Sequence, residues 1–300
     1  MDELNRRWPH KNRIGVSYPD APYSRLRHGF RTTADGLIPI LEDWSYLLYC
    51  LSRVPQLFVQ LDQPCGRMTV RIGRKDLLAS VDGRVAGSAL IPAPNFEGWS
   101  RATAKLEACH CCGSPGGVQL YNEFGFQFIQ MSAPSDLAPS GWASVLGDIA
   151  LDRPAQAPVV ASASTRDWGR LLCPEDAVEQ HCCGVSCFQP LHAAYQMGLP
   201  LEVIARRYEV SLLHTYVIER FEREGYWAHC FGTLGGFSLD LYAVKRTVLH
   251  DEGGRLAWLL LGDGDAVLYE LRAARELAAE SAWQQIMQTQ LTTGGAKDAY

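Results

Sequence analysis

Short segments that alternate apolar and polar side chains, each closed by turn residues, recur along this chain. "QLFVQLD" (56–62) and "RMTVRIG" (67–73) flank "QPCG". "WSRATAKLEA" (99–108) is followed by "GGVQLYNEFGFQFIQM" (116–131), a strand, an Asn-Glu-Phe-Gly turn and a second strand. Later come "YWAHCFG", "GFSLDLYAV", "KRTVLHD", "RLAWLLLG" and "DAVLYELR". A period of two sends successive side chains to opposite faces of a sheet, and short polar turns join neighbours antiparallel. Asp82-Gly83 is a hairpin signal of the same kind, inside "LLASVDGRVAGSALI". Antiparallel sheet is therefore expected in both halves of the chain.

Helical spacing is confined to a few stretches. Apolar residues from Leu37 to Leu51 repeat at three and four, and Pro55 closes that run. "SDLAPSGWASVLGDI" and "ELAAESAWQQIMQTQL" read as helices that each carry a tryptophan, Trp142 and Trp283. Between them, "CPEDAVEQH", "CFQPLHAAYQM", "LPLEVIARRY" and "SLLHTYVIERFEREG" are expected to form a helical connector. The fold class expected is α+β. Residues 1–35 form a polar arm, 36–150 a first helix-plus-sheet unit, 151–168 a Pro/Ala/Ser-rich linker, and 169–300 the connector and a second, shorter unit.

The two halves look like copies. Helix, strand, Gly-containing turn and strand in 41–71 match 212–242, pairing Gly66 with Gly236. The strand pair around Gly117 matches that around Gly254. A doubled module with one deletion in its second copy accounts for both anchors.

Bulk properties exclude several functions. Of 300 residues 47% are hydrophobic, enough for a large core, and a net charge of −5 disfavours nucleic acid and anionic membranes as partners. The opening residues lack the apolar core of a secretory signal, and no apolar run is long enough to span a bilayer. A cytoplasmic location is expected, in which the ten cysteines would mostly be thiols or metal ligands. The sequence HCCG occurs twice, at 110–113 and 181–184. Cys109, Cys112, Cys183 and Cys187 have the chemistry and spacing of a zinc or copper(I) site. The competing reading is small apolar cysteines packed in a core. A metal- or redox-sensing protein is thus one candidate function.

A second candidate is a DNA-binding regulator, because 199–226 reads as helix, "EVS" and helix. Its reading helix carries three glutamates, which oppose phosphate. No nucleophile elbow, Walker loop, dinucleotide glycine motif or His-Glu-x-x-His motif is present.

The order of elements resembles a known family, the HemS/ChuX-type haem-utilisation proteins. The resemblance rests on a helix leading into "YWAHCFG", the following "FSLDLY", the strand pair "GGVQLYNEFGFQFIQM" and the closing "SDLAPSGWASVL". It covers most of 36–290. It implies paired antiparallel sheets in a tandem arrangement, and a cytoplasmic protein that carries haem or opens its ring. It also implies an axial histidine in the connector, which counting places at His181, or near Phe188 and hence at His192. The cations for the haem propionates would come from Arg206 and Arg207. Tyr208, like Phe188 and Tyr195, would stack on the ring. The family's arginine in the first half has no counterpart in "IPAPNFEGW", and Arg101 is the substitute nearest in sequence. Haem is the cofactor and partner this implies, with a homodimer as a further expected association.

Overall fold

The structure, a computed structural model, describes residues 37–63, 66–77, 88–106, 116–151, 178–180, 187–207 and 209–294. The chain divides into two compact units. The first takes residues up to Leu61 and from Val70 to Ser164; the second takes Asp62–Thr69 and everything from Thr165.

In the first unit the elements run β1 (Ile38–Pro39), α1 (Trp44–Leu51), β2 (Gln56–Gln63), β3 (Gly66–Gly73), β4 (Ala89–Pro92), β5 (Trp99–Lys105), β6 (Gly117–Asn122), β7 (Gln127–Ser132) and α2 (Pro139–Ile149). Helix α1 starts at Trp44, later than the expected Leu37. Pro39 has no N–H to give a helix and pushes its predecessor toward extended backbone. Asp43 then caps α1, accepting the Tyr46 N–H at 3.0 Å. Strands stand in the order β1-β5-β6-β7-β2-β3. Alternation sends Val59, Leu61, Val118, Leu120, Ile129 and Met131 into the core. Helices α1 and α2 lie side by side and bury Leu47, Leu48, Leu51, Trp142, Leu146 and Ile149.

The second unit contains β8 (Val178–Gln180), α3 (Phe188–Gln196), β9 (Pro200–Arg206), β10 (Val210–Val217), β11 (Arg220–Glu224), β12 (Trp227–Phe231), β13 (Gly235–Asp240), β14 (Arg246–Glu252), β15 (Arg255–Leu261), β16 (Val267–Ala273) and α4 (Leu277–Gly294). One set of strands stands in the order β10-β9-β16-β15-β14-β8. Another runs from the β3 residues of this unit through β13 and β12 to β11.

Three expected helices are corrected here. "LPLEVIARRY" is β9, "SLLHTYVIERFEREG" is β10 and β11, and the described part of "CPEDAVEQH" is β8. The reason lies in pairing: β9 has antiparallel partners on both sides, Ile204 opposite Leu213 and Glu270. Helix spacing in a short apolar run cannot compete with two ladders of backbone hydrogen bonds. "CFQPLHAAYQM" does form a helix, α3. "LGDGD" forms the turn between β15 and β16. The expected arm 1–35, the Asp82-Gly83 hairpin and nearly all of the linker lie outside the described residues. No helix among the described residues is long and apolar enough to cross a membrane.

Candidate functional site

Helix α3 presents two stripes. Cys187, Pro190, Leu191 and Ala194 are buried. Phe188, His192 and Tyr195, spaced i, i+4 and i+7, form the neighbouring stripe and remain half-exposed. Pro190 is tolerated because it sits in the first turn, where N–H groups have no partner within the helix.

Strand β11 supplies the other wall. The Phe221 ring lies 4.9 Å from Phe188, 5.6 Å from His192 and 6.1 Å from Tyr195, centroid to centroid. His192 stacks on Phe188 at 5.6 Å with planes 14° apart. Two residues along the strand, the Arg223 guanidinium lies over the Phe188 ring at 5.1 Å, and its Nε donates to the Gly225 carbonyl at 3.1 Å. Strand alternation turns Arg220 and Glu222 to the opposite side, where they pair at 3.0 Å and Arg220 covers Phe231. The result is a half-open aromatic patch with one imidazole in it and one cation at its margin. Such a surface suits a flat apolar ring that needs a nitrogen ligand.

Phe221 and Arg223 were missed because their segment reads as helix. The available signal was Gly225, at φ +59°, in a two-residue turn that pairs Glu224 with Trp227.

The other expected site residues are dispersed. Arg206 donates from Nε to Glu270 at 2.9 Å, and Arg272 also pairs with Glu270 and, at 3.0 Å, with Glu202. Arg207 is buried; its Nε lies 3.2 Å from Glu209 and it donates to the Asp62 carbonyl at 2.9 Å. Burial pulls its guanidinium below the usual range, opposed by the Glu209 charge. Both arginines are thus engaged by carboxylates of their own unit. Arg101 stands on β5 opposite Tyr121, in the first unit. His181, Tyr208, Cys109, Cys112 and Cys183 lie outside the described residues. Cys187 is buried at the head of α3. Among the described residues no group of three or more His, Cys, Asp or Glu side chains is placed to hold a metal ion. Burial also raises the pKa of the Cys50 and Cys230 thiols, which keeps them protonated and unreactive. The helix-turn-helix reading falls with the helices it needed: 200–206, 210–217 and 220–224 are strands.

Deeper in the second unit, β10 turns Val210, Leu212, His214 and Tyr216 inward. Burial pulls the His214 imidazole down to about 4 and pushes the Tyr216 phenol up. This is a neutral core, unsuited to proton exchange at neutral pH.

No family model matches the sequence, and no curated protein does. Solved structures do. The haem-degrading enzyme ChuS of Escherichia coli O157:H7 superposes with a TM-score of 0.66 at 12% identity, over 85% of this chain and 86% of that one. ChuS described as an E. coli haem oxygenase gives 0.64 at 12%, over 90% and 91%. Holo-PhuS, a haem-binding protein from Pseudomonas aeruginosa, gives 0.66 at 13%, over 96% and 98%. Identity this low speaks for architecture, and the architecture agrees over nearly the whole length. The chain has the fold of the HemS/ChuX-type haem-utilisation proteins.

Proposed function

We propose that this protein binds haem in the cytoplasm, for carriage or for ring opening, with a histidine from the α3 region as axial ligand. His192 is the described candidate, and His181 is the alternative in the preceding segment. One observation carries the reading: His192 stands half-open on the Phe188 ring, in a chain whose fold is that of proteins described as haem-binding and haem-degrading. The donor set fits the group, since haem iron takes a neutral imidazole and its ring takes an apolar, aromatic wall. When bound, haem supplies the redox and oxygen chemistry. The chain's own part is to hold the imidazole in one orientation through Phe188 and Phe221, and to exclude water from the ring face with Tyr195.

The two units support the expectation of a doubled module, in a different alignment from the one the glycines suggest. The run β1, α1, β2, β3, β5, β6, β7, α2 has the pairing order β1-β5-β6-β7-β2-β3. The run β8, α3, β9, β10, β14, β15, β16, α4 has the order β8-β14-β15-β16-β9-β10. Each of these elements has a counterpart in the same place, with β4 extra in the first run and β11–β13 extra in the second. In this reading α3 is the counterpart of α1, and Gly66 has no relation to Gly236. Gly117 and Gly254 remain at equivalent strand starts.

Titration of the purified protein with haemin tests the ligand assignment. A sharp Soret band is expected, broadened or shifted in His192→Ala and unchanged in His181→Ala. The reverse pattern transfers the role to His181. No Soret change in the wild type removes the haem reading.

A further inference from the structure

We propose that Arg223 is the residue that selects a ring bearing carboxylates, by pairing with an acidic arm of the bound porphyrin. This rests on the haem reading above. The assignment comes from where the cations of the second unit are spent. Arg206 and Arg207, the arginines nearest α3 in sequence, are engaged by Glu270 and Glu209. Arg272 and Arg255 are engaged by Glu202, Glu270 and Glu280. Arg220 is turned to the far side of β11 with Glu222. Arg223 alone of these lies against the aromatic patch, 5.1 Å above the ring on which His192 stacks. Its side chain is exposed, and its hydrogen bond to the Gly225 carbonyl uses Nε, not the two terminal nitrogens of the fork.

The chemistry matches an acid. A guanidinium offers two parallel N–H groups to one carboxylate, and a site that is half-open to solvent keeps such a pair moderate in strength. Resting on Phe188 pre-orders the side chain, so less conformational entropy is lost when the pair forms. Glu222 and Glu224 flank Arg223 in sequence but project from the other face of β11, so they do not neutralise it.

The test compares haemin with its dimethyl ester, which keeps the ring and iron and removes both acid charges. The wild type should bind haemin about tenfold more tightly than the ester. Arg223→Ala should lose that preference while retaining the Soret band of the histidine-ligated complex and the wild-type melting temperature. Arg223→Lys should keep part of it, as a point charge without the fork. If Arg223→Ala still prefers haemin tenfold, the assignment of Arg223 is overturned and the haem reading stands. If neither porphyrin perturbs the wild-type spectrum, both proposals fall together.

Discussion

The imidazole of His214 lies flat against the ring of Tyr216, centroids 4.8 Å apart and planes 14° from parallel. Both side chains come from the inward face of β10, two residues apart. Burial holds the histidine neutral, with a pKa of about 4 against an ordinary value of 6.5. Between those two values the unfolded chain binds a proton that the folded chain does not. Stability therefore falls as pH drops from 6.5 to 4 and levels below that, by about 3 kcal/mol in all. Urea unfolding at pH 7 and pH 4, for the wild type and His214→Gln, checks this. The wild type should lose about 3 kcal/mol more than the variant; equal losses would contradict the burial argument.

Glu209 should matter to stability far more than its place in a short turn suggests. It is the carboxylate against the buried Arg207, with side chains 4% and 6% exposed. Glu209→Ala leaves a buried guanidinium with its charge poorly compensated, at a cost of about 3 kcal/mol. Arg207→Met with Glu209→Leu removes both charges and should recover most of that loss. Chemical denaturation of the three proteins decides it, and a double variant as weak as the single one would show that the charge is not the cause.

In each unit a tryptophan indole donates to a strand carbonyl. The Trp142 indole of α2 donates to the Lys105 carbonyl at 3.3 Å, and the Trp283 indole of α4 donates to the Leu256 carbonyl at 3.0 Å. Lys105 ends β5, and Leu256 stands at the start of β15. Trp142→Phe and Trp283→Phe should each lose about 1 kcal/mol, because the ring stays and one hydrogen bond goes. Thermal melts would show two similar downward shifts.

Gly116 ought to be harder to replace than the tryptophan beside it. Its φ is +148°, and a Cβ there would stand 2.1 Å from the Lys105 oxygen and 2.7 Å from Trp142 Nε1. Gly116→Ala must displace backbone as well as the indole, so a loss of about 2–3 kcal/mol is expected. A circular-dichroism melt within a degree of wild type would refute it.

Glu270 joins two cations, Arg206 on β9 and Arg272 on its own strand. Glu270→Gln keeps the shape and removes the charge between two guanidiniums. A destabilisation of about 2 kcal/mol is expected, smaller in high salt because Arg206 is partly exposed. Urea midpoints at low and high ionic strength measure both parts.

Much of this fold was legible before any coordinates. Strands such as β2, β3, β6, β7, β15 and β16 declare themselves by alternation, because one of their faces meets the core and the other meets water or polar neighbours. Helices α2 and α4 were equally plain. Strands β9 and β10 were not. "LPLEVIARRY" combines good helix formers with two β-branched residues, and Glu202 and Arg206 look like a solvent face at helical spacing. They are strand residues whose charges are answered by Arg272 and Glu270, far away in sequence. A cross-strand ion pair leaves no local trace. The same blindness hid Phe221 and Arg223, which gain their role only by lying across from α3.

The sequence by itself determined the class of architecture and the location of α3 with its aromatic stripe, since both follow from side-chain periodicity along a single segment. Only the tertiary structure decided which arginines are consumed inside the second unit, which one borders His192, and that 199–226 pairs as sheet. Those outcomes depend on which distant strands meet, and hydrogen-bond ladders between remote segments outweigh the weak local preferences that a sequence displays.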